Sequence, residues 1–360
     1  MKKLKVIPVI PALNPDDKLV NYVSDLIKIG FSRIIIIDDG SSSECKYVFN
    51  ALERMDNCIV IRHAVNQGKG RALKTAFNYY LNSDLAITNV GIVTADSDGQ
   101  HSAQDTYNVA KSLLKNKDAF VLGTRNFNSK NVPVRSKFGN KTTTIIFKLL
   151  YGKMINDTQT GLRAIPNSYI YDCLKMNGEK YDFEINMLIK AVQNNMLFKE
   201  EIIETIYIDD NKSSHFNPVI DSLRIYKVMF SQFIKFGLSG FFSFALDIVL
   251  FWCLINFIFN FKSSDFNIIF SSIFARMVSS LVNFNLNKKV VFNCKCSRKS
   301  YLVKYYSLCV IQLCLSACLT SLLFRLNIFD ETICKLIIDI CLFFVSYNIQ
   351  RKYIFREVKC

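Results

Sequence analysis

The chain has 360 residues, half of them hydrophobic, with a formal net charge of +15. A positive balance points to an anionic partner. No basic stripe with interleaved aromatics runs through the first two-thirds, so nucleic acid is set aside in favour of nucleotide diphosphates and anionic lipid headgroups. The 12 cysteines do not form a disulfide framework. Cys309, Cys314, Cys318 and Cys341 lie in apolar runs, where cysteine acts as a small hydrophobe, and Cys294-x-Cys296 has no second pair nearby to complete a zinc site.

The charged start, Met1-Lys2-Lys3-Leu4-Lys5, leads into an apolar run too short for a signal core. Residues 6–10 are expected to form a first strand, ended by Pro11. Residues 16–29 have helical periodicity, with Leu19, Val23, Leu26 and Ile27 on one face and Gly30 as the stop. A continuous apolar strand at 33–37 runs into Asp38-Asp39-Gly40-Ser41. A second helix, a strand at 58–62, the loop Asn66-Gln67-Gly68-Lys69-Gly70 and a helix at 71–81 follow. A strand at 91–95 delivers Asp96 and Asp98. Then come a helix at 103–115 and a strand at 119–123 that leads into Thr124-Arg125.

Continuous apolar strands alternating with helices predict an α/β domain with a mostly parallel, doubly wound sheet. Ligands of such sheets sit beyond the carboxyl ends of the strands. Three polar loops, at 11–14, 38–41 and 96–100, fall at such ends and are expected to converge. Asp96 and Asp98, one residue apart at a strand tip, can reach one hard cation, which takes oxygen ligands. No G-x-G-x-x-G turn follows the first strand, which argues against a dinucleotide-binding oxidoreductase, and the 66–70 loop lacks the Walker spacing. Beyond the sheet lie a basic loop at 131–141 with Arg135, Lys137 and Lys141, a polar turn from Asp157 to Arg163, and Tyr181-Asp182-Phe183-Glu184 at the start of an amphipathic helix. Residues 211–226, including His215, are expected to be juxtamembrane.

Four apolar segments, at 233–259, 266–291, 305–324 and 333–349, are each long enough to span a bilayer. The second connection carries Lys288, Lys289, Lys295, Arg298, Lys299 and Lys304, and the C-terminus carries Arg351, Lys352, Arg356 and Lys359. The first and third connections are poor in lysine and arginine. The positive-inside rule therefore places both termini in the cytoplasm. Asp247, Arg276 and Asp339 are costly if they face lipid; they are expected to face the bundle interior, with Asp247 and Arg276 paired. The division expected is a catalytic domain over 1–230 and a four-helix transmembrane domain over 231–360.

Pro11-Ala12-Leu13-Asn14, Asp38-Asp39-Gly40-Ser41, Asn66-Gln67-Gly68-Lys69-Gly70, Asp96-Ser97-Asp98-Gly99-Gln100-His101 and Asp157-x-x-x-Gly161-Leu162-Arg163 occur in order. This set, over about residues 4–230, resembles the polyprenyl-phosphate glycosyltransferases, inverting family 2 enzymes of GT-A fold that include dolichol-phosphate mannose synthase. Phe236-Gly237-Leu238-Ser239-Gly240 and Asn283-Phe284-x-Leu286-Asn287-Lys288 resemble a GtrA-like membrane domain. The resemblance implies transfer of a sugar from a nucleotide sugar of the UDP-glucose or GDP-mannose type to polyprenyl phosphate. It places an integral membrane enzyme at a bacterial inner membrane with its catalytic domain cytoplasmic, and a homo-oligomer is compatible with it.

On this resemblance Mg²⁺ or Mn²⁺ is held by Asp96, Asp98 and Gln100. Pro11, Asn14, Asp38, Asp39 and Lys69 join Asp96 and Gln100 around the donor, with Asp38 and Asp39 on base or ribose, Asp39 the preferred of the two, and Lys69 near phosphate. Asp98 and Arg125 are the catalytic pair. Arg125, Arg135, Lys137 and Arg163 grip the acceptor phosphate, since guanidinium suits phosphate oxygens. Asp157 supports Arg163, and His215 helps receive the acceptor. The family usually places Glu after the asparagine of Pro-x-x-Asn; Pro15 stands here, and Asp16 is the nearest substitute. Two other readings are weighed: transfer to a hydroxyl of a glycolipid or glycan, which needs a catalytic base, and a lipid-sugar carrier without catalysis.

Overall fold

A computed structural model describes residues 4–127, 134–204, 220–258, 264–294, 299–326 and 330–355, with the backbone alone at 134–136, 264 and 299. The chain divides into two compact units, Met1–Met229 and Phe230–Cys360.

The first unit is built on seven strands: β1 (Ile7–Ala12), β2 (Ile34–Asp38), β3 (Cys58–Arg62), β4 (Gly91–Thr94), β5 (Ala119–Arg125), β6 (Arg163–Pro166) and β7 (Leu197–Ile203). They form one sheet in the order β3-β2-β1-β4-β6-β5-β7. All neighbours are parallel except β6, which runs antiparallel to both β4 and β5. Every residue of β1, β2 and β4 is buried, as expected of strands covered on both faces. Helices α1 (Asp17–Ile29), α2 (Lys46–Glu53), α3 (Lys69–Leu81), α4 (Leu85–Thr88), α5 (Ala103–Lys115), α6 (Val134–Tyr151), α7 (Asn167–Leu174) and α8 (Asp182–Gln193) fill the connections. Leu19, Val23 and Leu26 of α1 are buried in the core, and Gly30 closes that helix at φ 121°, a conformation that side chains resist.

Four local expectations are corrected. β1 continues through Pro11 to Ala12, with Pro11 registered against Ile37; the neighbouring strands hold it in the sheet despite the missing donor. The basic stretch at 131–141 is not all loop, because α6 begins at Val134. The turn at 157–163 ends in a strand, with Arg163 as the first residue of β6. Asp16 caps α1, its Oδ1 accepting from Lys18 N at 3.0 Å, which is the work of an N-cap.

Four helices are long and apolar enough to cross a membrane: Ile220–Ile258, whose first residues belong to the first unit, and Asp265–Val291, Ser300–Phe324 and Glu331–Ile354 of the second. Their α-helical parts are α9 (Ile220–Cys253), α10 (Ser264–Leu286), α11 (Lys299–Phe324) and α12 (Glu331–Ile349). Polar side chains link them internally. Asn287 donates to Asn283 Oδ1 at 2.9 Å and to Gln350 Oε1 at 3.0 Å, Tyr305 donates to Asn283 at 2.7 Å, and Ser346 donates to Gln312 at 3.1 Å. Amide side chains in apolar surroundings are tolerated when satisfied in this way. Asp247 pairs with Arg276 at 3.2 Å. Arg276 is nevertheless 72% exposed, and Asp339 is 48% exposed beside Lys335 one turn away. Neither is enclosed in the interior as expected; Arg276 is held by Asp247 of α9, and Asp339 by Lys335 and by Ser316 of α11.

Candidate active site

The carboxyl ends of β1, β2 and β4 bring the three polar loops together, and they touch through a chain of contacts. Asn14, held at φ 47°, donates its N–H to Ser41 Oγ at 2.9 Å and accepts from Ser42 N at 2.8 Å. Asp38 Oδ1 accepts from Ser41 N at 2.9 Å. Asp39 accepts from Gln67 N at 3.0 Å and Gly68 N at 2.8 Å, and its Oδ1 lies 2.7 Å from His63 Nδ1. Gly40 makes this approach possible, since a Cβ there would fall 2.2 Å from the Val65 carbonyl carbon.

The chain of contacts then reaches the diacid. Gly68 leads into Lys69, whose Nζ lies 2.6 Å from Asp96 Oδ1 and 3.2 Å from Glu184 Oε1, above the ring of Tyr181. Asp96 Oδ2 lies 3.4 Å from His101 Nε2. Among the described residues neither ring nitrogen of the buried His101 completes a hydrogen bond. Gly161 closes the remaining side: a Cβ there would meet the Asp96 carboxylate at 2.3–2.7 Å. Thr94 fixes that glycine by donating to its carbonyl at 2.7 Å.

Electrostatics divides the two acids. Burial alone would push the Asp96 carboxyl up, but the Lys69 ammonium, aided by His101, holds it well below the usual carboxylate range. Burial favours the neutral amine of Lys69, yet Asp96 and Glu184 hold it above its ordinary value. Asp98 goes the other way: burial, and then the charge of Asp96, raise its carboxyl. Its Oδ1 accepts from Gln100 N at 3.1 Å. A carboxyl raised by desolvation and a like charge is one that a cation would relieve.

Arg125, at the end of β5, donates from Nε and Nη2 to Asp157 at 2.7 and 3.1 Å. Asp157 is fully buried and Arg125 is 23% exposed, so this fork fixes a guanidinium that still reaches the surface. Asp157 therefore holds Arg125, not Arg163 as expected. Arg163 is wholly buried. It donates to the carbonyls of Thr160 at 2.8 Å, Glu184 at 2.6 Å and Thr158 at 3.4 Å, and burial pulls its pKa down. Its assignment to the acceptor phosphate is corrected, because no phosphate reaches a guanidinium spent inside the domain.

Of the other donor candidates, Pro11 is a buried strand residue, and the buried Asp39 accepts from the amides of Gln67 and Gly68. Lys137 lies exposed on α6. The Arg135 side chain and His215 fall outside the described residues. Sequence reasoning missed the link from Glu184 to Lys69 and the role of His63. The Tyr181–Glu184 stretch announces a helix start, but nothing local ties it to a lysine more than a hundred positions away.

Asp98 and Gln100 offer only oxygen donors, as Mg²⁺ and Mn²⁺ prefer. Among the described residues no three His, Cys, Asp or Glu side chains form a closed cage. The set thus fits a cation that also takes oxygens from water or substrate, as Mg²⁺ usually does. Asp96 is engaged by Lys69 through Oδ1, and its Oδ2 faces His101.

Residues 9–170 match glycosyl transferase family 2, and residues 235–355 match the GtrA/DPMS transmembrane domain. A UDP-N-acetylglucosamine–dolichyl-phosphate N-acetylglucosaminyltransferase of Methanococcus voltae is 30% identical over 240 residues, covering 61% of this chain and 93% of that one. An uncharacterized Methanocaldococcus jannaschii protein is 28% identical over 240 residues, 64% of this chain and 94% of its own. A dolichyl-phosphate β-glucosyltransferase of Trichomonas vaginalis is 25% identical over 246 residues, 60% of this chain and 71% of its own. The chain belongs to the family 2 glycosyltransferases, with a GT-A-type domain followed by a GtrA/DPMS transmembrane domain. It is a membrane protein and a glycosyltransferase.

Proposed function

We propose that this glycosyltransferase moves a sugar from a nucleotide sugar to a polyprenyl phosphate, inverting the anomeric centre, with its catalytic domain on the cytoplasmic face. The observation that carries the reading is the joined rim of Asp38, Lys69, Asp96 and Asp98, with the forked Arg125 beyond it, in a chain that also holds four spanning helices. The names of the relatives support a lipid-phosphate acceptor and make a UDP sugar the first donor to test. The lysine- and arginine-rich second connection supports the sidedness.

Within this reading Asp38 and the Asn14 loop receive the nucleoside, and Lys69 lies beside the diphosphate. Asp98 and Gln100 are the residues that would hold Mg²⁺ or Mn²⁺. When bound, such a cation offsets charge on a departing diphosphate. Arg125, oriented by Asp157, receives the acceptor phosphate. A phosphate monoester with a second pKa of about 6 is already largely dianionic at neutral pH, so its oxygen attacks without a protein base. The work of the residues is then positioning and charge stabilisation.

The test is the full chain in liposomes containing polyprenyl phosphate, offered a panel of UDP and GDP sugars with Mg²⁺, with mass spectrometry of the lipid. The expected product is a polyprenyl-phosphate hexose or N-acetylhexosamine, lost with EDTA and restored by Mg²⁺ or Mn²⁺. Sugar appearing only on hydroxyl lipids would overturn the acceptor assignment.

A further inference from the structure

The ring of His63, one residue past β3, joins three elements on one side of the rim. Nδ1 lies 2.7 Å from Oδ1 of Asp39, one residue past β2, and Nε2 lies 2.9 Å from Thr75 Oγ1 in α3. A carboxylate only accepts, so Nδ1 donates; in the neutral ring Nε2 then accepts from the Thr75 hydroxyl. That hydroxyl thereby fixes which nitrogen carries the proton. The side chains of His63 and Asp39 are 8% and 5% exposed, so water competes little for the bond between them.

Asp39 passes this order on. Its Oδ1 also accepts from Gln67 N, and its Oδ2 accepts from Gly68 N. Ala64, Val65, Asn66 and Gln67 are all exposed, so hydrogen bonds hold this loop more than burial does. Gly68 turns at φ 102°, a conformation that side chains resist. The next residue is Lys69, whose ammonium lies 2.6 Å from Asp96. One buried carboxylate therefore sets where α3 begins and where its first side chain leaves the backbone. Arg71 N, donating to Glu179 O at 3.0 Å, steadies the opposite side.

We propose that His63 is a positioning residue for the donor. It orients Asp39, Asp39 curls the backbone at 67–68, and that curl presents Lys69 to the diphosphate. The proposal rests on the reading of this rim as the nucleotide-sugar site. It differs from plain core packing in one respect: the bond made by Nδ1 governs donor binding, and the bond made by Nε2 supports it.

An asparagine amide reaches roughly where Nδ1 lies, and a glutamine amide roughly where Nε2 lies. His63→Asn therefore keeps a donor for Asp39, whereas His63→Gln keeps a partner for Thr75 and gives up that donor. Thr75→Val removes the hydroxyl alone. Each full-length variant is reconstituted in liposomes with Mg²⁺. UDP and GDP binding is measured by titration calorimetry, KM with each substrate varied in turn, and amide exchange by mass spectrometry. The unaltered chain should bind one of the two nucleotides. His63→Gln should weaken that binding about tenfold, the scale of one charge-assisted hydrogen bond, and raise the KM for the nucleotide sugar to match. His63→Asn should stay within about threefold of the unaltered chain, with Thr75→Val between the two. The KM for polyprenyl phosphate should hold in all three. In His63→Gln, exchange should quicken over 64–70 and stay unchanged over 91–94. Equal losses in His63→Asn and His63→Gln would overturn the proposal, because the ring would then only fill space. Unchanged donor binding in both would overturn it as well. Should His63→Gln fail to fold, Thr75→Val carries the test, since it keeps the side-chain volume; unaltered nucleotide affinity in that variant would overturn the proposal. Failure of the unaltered chain to bind either nucleotide would overturn the reading of the site itself, a result distinct from any difference among the variants.

Discussion

Lys69 Nζ sits 2.6 Å from Asp96 Oδ1, so the first residue of α3 neutralises the first acid at the tip of β4. Lys69→Met leaves Asp96 facing Glu184 and Asp98 without a counter-charge. Stability is expected to drop by about 2 kcal/mol, less than the roughly 3–5 kcal/mol typical of a fully buried broken pair, because Asp96 is still 29% exposed. The pH dependence follows from the two shifts. Asp96 is held low, so its contribution is present above its unfolded value of about 4 and fades as pH falls towards the depressed folded value. Lys69 is held high, so its contribution is complete below an unfolded value of about 10.4 and fades as pH rises beyond it. Chemical denaturation across pH should show the deficit of Lys69→Met at full size between those limits and shrinking in acid.

Asp98→Asn keeps the shape of the second acid and removes its charge. If that charge helps hold a divalent cation, transfer should fall on the order of 100-fold or more, the scale seen when one preorganised electrostatic group is lost. Mn²⁺ binding followed by electron paramagnetic resonance should weaken in parallel. Undiminished Mn²⁺ binding together with lost transfer would separate Asp98 from the cation.

Arg125 and Asp157 should behave as one device. Asp157→Asn keeps the side-chain volume but loses the charged fork, so the apparent KM for lipid phosphate should rise while that for the nucleotide sugar changes little. Arg125→Lys should have a similar effect, since an ammonium cannot reproduce the two parallel bonds. Steady-state kinetics with each substrate varied in turn distinguishes this from a general loss of fold, which would lower kcat for both.

Arg163→Met tests the corrected role of that arginine. Three carbonyl contacts vanish inside the domain, and each unsatisfied buried group costs about 1–3 kcal/mol. A loss of several kcal/mol in stability is expected, with the acceptor KM of whatever folds unchanged. A raised acceptor KM with normal stability would return Arg163 to the phosphate.

The parts of this molecule legible in its sequence are those governed by local rules. Apolar runs marked β2 and β3, the spacing of Leu19, Val23 and Leu26 marked α1, and acids after apolar runs marked strand tips that the structure joins on one rim. Strand β7 was obscured because it lies at the sheet edge and carries Lys199, Glu200 and Glu201 amid apolar neighbours. Strand β6 was hidden because its first residue is an arginine, and an arginine suggests a surface. Only the carbonyls of Thr158, Thr160 and Glu184 explain its burial, and the last comes from another element. Asp39 shows the same limit: its motif identifies the loop, while its partners Gln67 and Gly68 are set by tertiary packing.

The antiparallel course of β6 has a metrical consequence. Thr94, Arg163 and Leu122 lie in one row across β4, β6 and β5, so the tips that carry the diacid and Arg125 stand two strand spacings apart, about 9.6 Å. Had β5 lain directly beside β4, that interval would be about 4.8 Å, and two anionic reactants would be crowded together. On the proposed reading, a single reversed strand acts as the spacer that leaves a berth for a pyranose ring between donor and acceptor.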